Sequence, residues 1–148
     1  DAVDNFETKF LINDVCVLLE KAFCHAGILQ FEGQVMTYVP GNNPCYRCVF
    51  EEVPESGSIP NCSQAGIIGA VAGIIGNIQA LEAVKYLLGV GELLTGKIFV
   101  LDGLSMRTRI VSFNSKNESC KVCGSHRTIT NIRENADEYM RKACIRKR

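Results

Sequence analysis

Apolar positions in the first part of the chain recur with a helical rhythm. Phe6, Phe10, Val15, Leu18, Leu19 and Ala22 fall on one side of a helix over residues 6–22, with Lys9 and Asp14 on the other. Residues 1–5 read as the tail of a strand entering that helix, with Asp4 as its cap and Glu7 completing a capping-box spacing. Two strand-like runs follow, 27–31 and 34–39, divided by Glu32-Gly33, a pair suited to a tight hairpin or a bulge. Pro40-Gly41-Asn42-Asn43-Pro44 is turn chemistry. Residues 51–60 are polar and interrupted by Pro54, Gly57 and Pro60. They predict a surface loop of the kind that carries function, with Cys62 at its end.

The most apolar stretch begins at Ala65 and runs to Gly89. A membrane span needs about 20 apolar residues, and this run stops after about 12, before Asn77, Gln79, Glu82 and Lys85. The pattern predicts a buried core helix ending at Gly89 as its C′ residue. Gly66, Gly69, Gly73, Gly76, Ala80 and Ala83 line small residues along one face. Each glycine weakens a helix by up to about 1 kcal/mol relative to alanine, so packing must compensate. Either another element or a partner subunit approaches closely there, or the helix is tightly packed in the core. Residues 97–102 predict a buried strand, 103–105 its turn, and 106–113 a half-exposed strand with Arg107 and Arg109 on one face. Residues 127–130 read as extended. Residues 134–148 read as a short helix with acidic residues early and basic residues late, as the helix dipole favours.

Composition adds limits. At 148 residues and 47% hydrophobic, the chain can build one real core. Sixteen basic and 16 acidic residues balance, which argues against nucleic acid or an anionic membrane as a bulk electrostatic partner. Eight cysteines are too sparse for a disulfide scaffold, and no signal-peptide pattern opens the sequence, so a reducing cytoplasm is expected. The opening Asp1-Ala2-Val3-Asp4 lacks an initiator Met and reads as a piece of a larger protein.

Two cysteine knuckles stand out, Pro44-Cys45-Tyr46-Arg47-Cys48 and Cys120-Lys121-Val122-Cys123-Gly124. Each sets two thiolates one short turn apart, the spacing at which both reach one tetrahedral ion. A closed structural Zn2+ site of Cys45, Cys48, Cys120 and Cys123 fits best, because four soft thiolates leave no position open to water. Iron in the same cage, as in a rubredoxin-like electron carrier, and two unrelated disulfides are the rivals. Cys16, Cys24 and Cys144 read as small buried hydrophobes, and His25 and His126 have no assigned role.

Several stretches in order carry a resemblance: Asp4-Asn5-Phe6 with Ile12-Asn13-Asp14, then Phe31-Glu32-Gly33-Gln34-Val35, the first knuckle, Cys62-Ser63-Gln64-Ala65-Gly66, residues 76–85, and the second knuckle. Together they resemble the C-terminal half of the ThiF/MoeB/HesA adenylyltransferases, relatives of the ubiquitin-activating enzymes, from Asp1 to about Ile129. The resemblance implies an α/β fold, the C-terminal part of a Rossmann-like activating enzyme with a mixed sheet, and a homodimer with a four-cysteine zinc site. Residues 1–130 would be the adenylation portion and 131–148 a helical tail. The implied chemistry is ATP-dependent activation of the C-terminal glycine of a ubiquitin-like sulfur-carrier protein, of thiamin or molybdopterin type.

By position, Asp4 matches the family aspartate beside the triphosphate and its Mg2+, with Asn5 next to it. Cys62 matches the cysteine that the thiazole branch uses for sulfur transfer. A thiol in such a loop is accessible, and a nearby helix start would lower its pKa; structural inertness is the competing reading. The family's Gly-rich ATP loop precedes the point where this chain begins, and Lys9 stands where arginine is commoner, losing a bidentate fork. Alone the chain is expected to be inactive, requiring an N-terminal nucleotide-binding half, either a separate chain or a preceding part of the same one, and leaving an exposed sheet edge and an uncovered apolar helix. The alternative is a non-catalytic zinc-stabilised domain that binds a ubiquitin-like or partner protein.

Overall fold

Asn5, not Asp4, starts the first helix. In a computed structural model, which describes residues 1–41, 43–54, 62–113 and 115–140 (backbone only at Cys62, Ser63 and Glu138), α1 spans Phe6–Leu18. Asn5 has extended dihedrals, and its side-chain oxygen accepts the Thr8 N–H at 2.8 Å. That shifts the frame by one residue, so the Asp4–Glu7 capping box does not form. The strand tail expected over residues 1–5 is absent too, since these residues lie in no strand. The helix stops at Leu18, four residues short of expectation, as Glu20 turns to φ 52°. Its buried face is Lys9, Phe10, Asn13, Asp14 and Val17, whereas Leu19 is 62% exposed. Hydropathy therefore put Lys9 and Asp14 on the wrong side, because their charges are paired in the interior.

Four strands form an antiparallel meander in the order β1 (Phe23–Leu29), β2 (Glu32–Tyr38), β3 (Lys97–Asp102) and β4 (Arg107–Ser112). The hairpin turn is Gln30-Phe31, with Leu29 opposite Glu32 and Gln30 at φ 52°. Glu32-Gly33 lies inside β2, not in the turn. Gly33 is there for packing: a Cβ would run into the Ile75 side chain. The mixed sheet implied by the resemblance is not what these strands form. They pair antiparallel throughout, with parallel pairing only at the isolated bridges Gln30–Ile67 and Thr37–Thr95. All six residues of β4 are exposed, more than the half-exposed strand expected.

Short helices α2 (Tyr46–Val49) and α3 (Cys62–Ala65) precede the long α4 (Gly69–Leu88), and α5 (Asp137–Met140) comes last. Because strand residues alternate between faces, Val35 and Ala26 meet Val71, Ile75 and Leu101 beneath α4. Tyr38 points the other way, into a cluster with Val17, Cys45, Cys120, Val122 and Ile129. Full burial of each such aliphatic side chain contributes about 1.5–3 kcal/mol.

The expected buried core helix is only partly realised. Gly89 does close α4 in the left-handed conformation, φ 66°. Of its 20 residues, however, just Val71, Ile75 and Glu82 are buried, while Leu87 is 79% exposed. Side-chain carbons placed on Gly69, Gly73 or Gly76 would meet nothing within 4 Å, so this chain leaves the small-residue face open. By length and composition α4 is apolar enough to cross a membrane. Yet it lies along β1 and β2 through its buried residues and carries an internal carboxylate. Residues 127–130 belong to no strand, and of the helix expected over 134–148 the described residues show Asp137–Met140, with 141–148 outside them.

Glu82 fastens α4 to the sheet. Its Oε2 accepts from Thr37 Oγ1 and from the Leu94 N–H, each at 2.7 Å, and Lys85 pairs with its other oxygen. Burial opposes ionisation, but the Leu94 N–H, Lys85 and Thr37 together hold the carboxyl below its ordinary value. Glu82→Ala, which strands Thr37 and Leu94, should lower unfolding free energy by about 1–3 kcal/mol in urea titrations. A depressed folded pKa contributes stability above the unfolded value near 4.5 that is lost as pH falls through the folded value. The non-ionisable Glu82→Gln should flatten that acid limb of the stability profile.

Candidate functional site

The two knuckles meet. The Cys45, Cys48, Cys120 and Cys123 sulfurs all lie within 4.8 Å of one another. Individual separations are 3.9 Å for Cys45–Cys48, 3.6 Å for Cys45–Cys120, 3.3 Å for Cys48–Cys123 and 3.4 Å for Cys45–Cys123. Four sulfurs about 2.3 Å from a tetrahedral ion stand roughly 3.8 Å apart, so the cage has the dimensions of a metal site. Disulfides are excluded, since a bridge needs about 2.05 Å and all four cysteines are free. Without a cation the thiols share protons unevenly. Hydrogen bonds from Cys123, Cys45 and Cys48 pull Cys120 down, while those to Cys120, Cys123 and Cys48, followed by burial, push Cys45 up. A divalent ion removes that competition. Two donors already face the sulfurs, Asn117 N–H to Cys48 at 3.4 Å and Asn13 Nδ2 to Cys45 at 3.8 Å.

The residues between the ligands bind the cage to α1. Arg47 is 1% exposed, its Nε 2.8 and 2.9 Å from the two Asp14 oxygens and its guanidinium over the Phe10 ring at 4.6 Å. Asn13 Oδ1 accepts the Tyr46 N–H at 2.8 Å, and Tyr139 on α5 donates to Asp14 Oδ2 at 2.6 Å. In the second knuckle, a side chain at Gly124 would strike the backbone of Glu118 and Cys120, so only glycine fits.

An open cleft of about 730 Å3 runs along the free edge of β1 between α1 and α4. Asp4 and Asn5 line it together with Phe6, Lys9, His25 and Gln79. Asp4 is exposed, and its Oδ1 accepts from Asn5 Nδ2 at 3.3 Å. Deeper in, Asp1 bridges Lys9 at 3.0 Å and His25 Nδ1 at 2.9 Å, and Lys9 also donates to the Ala26 carbonyl at 2.6 Å. Gln79 reaches from α4 to the Asp1 and Cys24 carbonyls at 3.0 and 3.1 Å.

The structure thus brings the four predicted metal ligands together and sets Asp4 and Asn5 at a cleft. Cys62 opens α3, a single turn too short to align more than a few peptide dipoles, and its side chain lies outside the described residues. The rest of the predicted functional loop, 55–61, also lies outside them. Asp1, His25 and Gln79 went unassigned in the sequence. The signal available for His25 was a lone polar residue within a strand, which pattern reading discards.

Residues 1–122 match the ThiF family, and the chain belongs to it. Among its relatives, the adenylyltransferase and sulfurtransferase MOCS3 of Drosophila ananassae is 40% identical over 132 residues, covering 89% of this chain and 29% of that protein. The SAMP-activating enzyme E1 of Haloferax volcanii is 45% identical over 124 residues, 84% of this chain and 45% of that protein. The crystal structure of E. coli MccB with MccA-N7isoASN superposes with TM-score 0.68 over 81% of this chain and 38% of that one. At 19% identity the likeness speaks to the fold alone. This chain spans less than half the length of each.

Two results are expected of the cage. Cys120→Ser should drop bound metal well below one ion per chain by elemental analysis and lower the melting temperature, without acting on any chemical step. Gly124→Ala should do the same through backbone displacement, even though every ligand remains.

Proposed function

We propose that this chain is the C-terminal part of an ATP-dependent adenylyltransferase that activates the C-terminal glycine of a ubiquitin-like sulfur-carrier protein. Residues 1–130 form the adenylation portion and 131–148 its tail. The observation that carries the reading is the pairing of Asp4 and Asn5 at the mouth of a cleft on the sheet edge, in a ThiF-family chain. Its relatives of 40% and 45% identity are named an adenylyltransferase and an activating enzyme. Open α/β folds bind ligands in crevices beside strand ends.

In the reaction the carrier's carboxylate oxygen attacks the α-phosphorus of ATP. The new carboxyl–phosphate bond forms as the bond to the β-phosphate oxygen breaks, and pyrophosphate leaves with the electron pair. Two anions must approach, so the site has to supply positive charge. Asp4 is the residue that would hold Mg2+, which when bound neutralises triphosphate charge. Lys9 is committed to Asp1 and Ala26, which supports the reading that further cations come from an N-terminal nucleotide-binding half. That half, or a second copy in a homodimer, would cover the open face of α4. The four cysteines hold zinc as a clasp with no coordination position open for chemistry, and Cys62 is the thiol available for sulfur transfer. A cytoplasmic setting suits these free thiols.

The exposed apolar surface of α4 supports a second reading, a zinc-stabilised docking domain that binds the carrier without nucleotide. ATP–pyrophosphate exchange by the complete polypeptide with a carrier protein separates the two. Asp4→Ala should reduce exchange by at least a hundredfold while metal content and melting temperature stay unchanged. Normal exchange by that variant would remove Asp4 from the mechanism. Carrier capture that is indifferent to ATP, with no exchange at all, would favour docking.

A further inference from the structure

His25 on the lining of the cleft carries a polar atom that none of the described residues satisfies. His25 is 2% exposed, and its Nε2 is buried with no hydrogen-bond partner among the described residues. A buried polar atom without a partner costs about 1–3 kcal/mol, and such atoms in native folds call for a reason. The ring itself is fixed. Asp1 Oδ2 lies 2.9 Å from Nδ1, and the Tyr46 ring packs against the imidazole with centroids 4.4 Å apart. Because a carboxylate faces Nδ1, the single proton of the neutral ring sits there and Nε2 presents a lone pair. Burial, then the Lys9 charge, holds the imidazole well below its ordinary pKa, so the neutral form is the one present at physiological pH.

An acceptor of this kind selects what can lie against it. A phosphate oxygen would set lone pair against lone pair, with the Asp1 carboxylate behind. The nearest cation, Lys9, is already bonded to Asp1 and to the Ala26 carbonyl. We propose that His25 Nε2 is a binding contact for an uncharged N–H or O–H donor of the ligand in this cleft, making the inner end a donor-reading subsite apart from the anionic end at Asp4. This rests on the adenylation reading, which offers two sources of that chemistry: the amino and hydroxyl groups of the nucleoside, and the backbone amide of the carrier's terminal glycine. It assigns His25 to positioning the ligand, with Asp1 fixing the tautomer.

The test uses the complete polypeptide with 15N-labelled histidine, titrated separately with Mg·ATP and with a peptide ending in a glycine carboxylate. The unprotonated Nε2 resonance of His25 should move upfield with one probe, and the probe that moves it identifies the source. His25→Asn keeps an amide donor for Asp1 but places nothing at Nε2, whereas His25→Gln can present its carbonyl there. Affinity for the active probe should fall about three- to tenfold in His25→Asn and be largely retained in His25→Gln, with metal content unchanged. An Nε2 signal unmoved by both probes, or equal losses in the two variants, would overturn the assignment. If wild type exchanges pyrophosphate while both variants bind normally, the subsite falls and the adenylation reading stands. If wild type binds neither probe, both fall.

Discussion

The rest of the molecule depends on a carboxylate buried in its middle. Asp14 is fully enclosed and meets Arg47, Asn13 and Tyr139 at once. Those partners come from a cysteine knuckle, from α1 and from the last helix, segments that no apolar pattern would join. Leaving one member of a buried ion pair unpaired is destabilising by about 3–5 kcal/mol, so the relative placement of these segments is strongly fixed. The consequence reaches the cleft. Asn5 and Asp4 precede the first turn of the helix that Asp14 anchors, so the cage and the cleft share one rigid support. Through Arg47 and Asp14 the first knuckle is tied to α1.

The cysteine cage was legible because its information is covalent and local: two thiols per knuckle at a fixed spacing. The strand 97–102 and the stop at Gly89 were legible for a similar reason, since a short apolar run and a left-handed glycine state their own conformations. Errors arose where a residue type serves two purposes. Gly33 looks like a turn glycine and is one that lets Ile75 approach the sheet. Lys9 and Asp14 look like a solvated face and are the interior of α1, because periodicity equates polar with outside and paired charges break that equation. Asp4 looks like a cap and is the residue before one.

The two faces of the sheet differ in kind. One is sealed by the cage, α1 and the aromatic cluster of Phe10, Tyr46 and Tyr139. The other carries α4, which uses only part of its apolar surface against the strands. Sequence patterning recognised α4 as apolar but could not tell burial inside this chain from burial by something beyond it. Hydropathy records the affinity of a surface and not the identity of its neighbour. The open small-residue face at Gly69, Gly73 and Gly76 is the physical form of that ambiguity.

The separation of the knuckles along the chain also bears on how the protein folds. The two hairpins are local and can zip early, but joining β2 to β3 and Cys45 to Cys120, 75 residues apart, requires closing the same long loop. Closure of that length costs roughly 4 kcal/mol of chain entropy, and the central strand pairing and any ion held by the four cysteines would share it. Whichever forms first makes the other nearly local. A chain made when metal is scarce should therefore linger with its hairpins formed and unjoined. It would then display the inner edges of β2 and β3, the strand edges most prone to pair with another molecule.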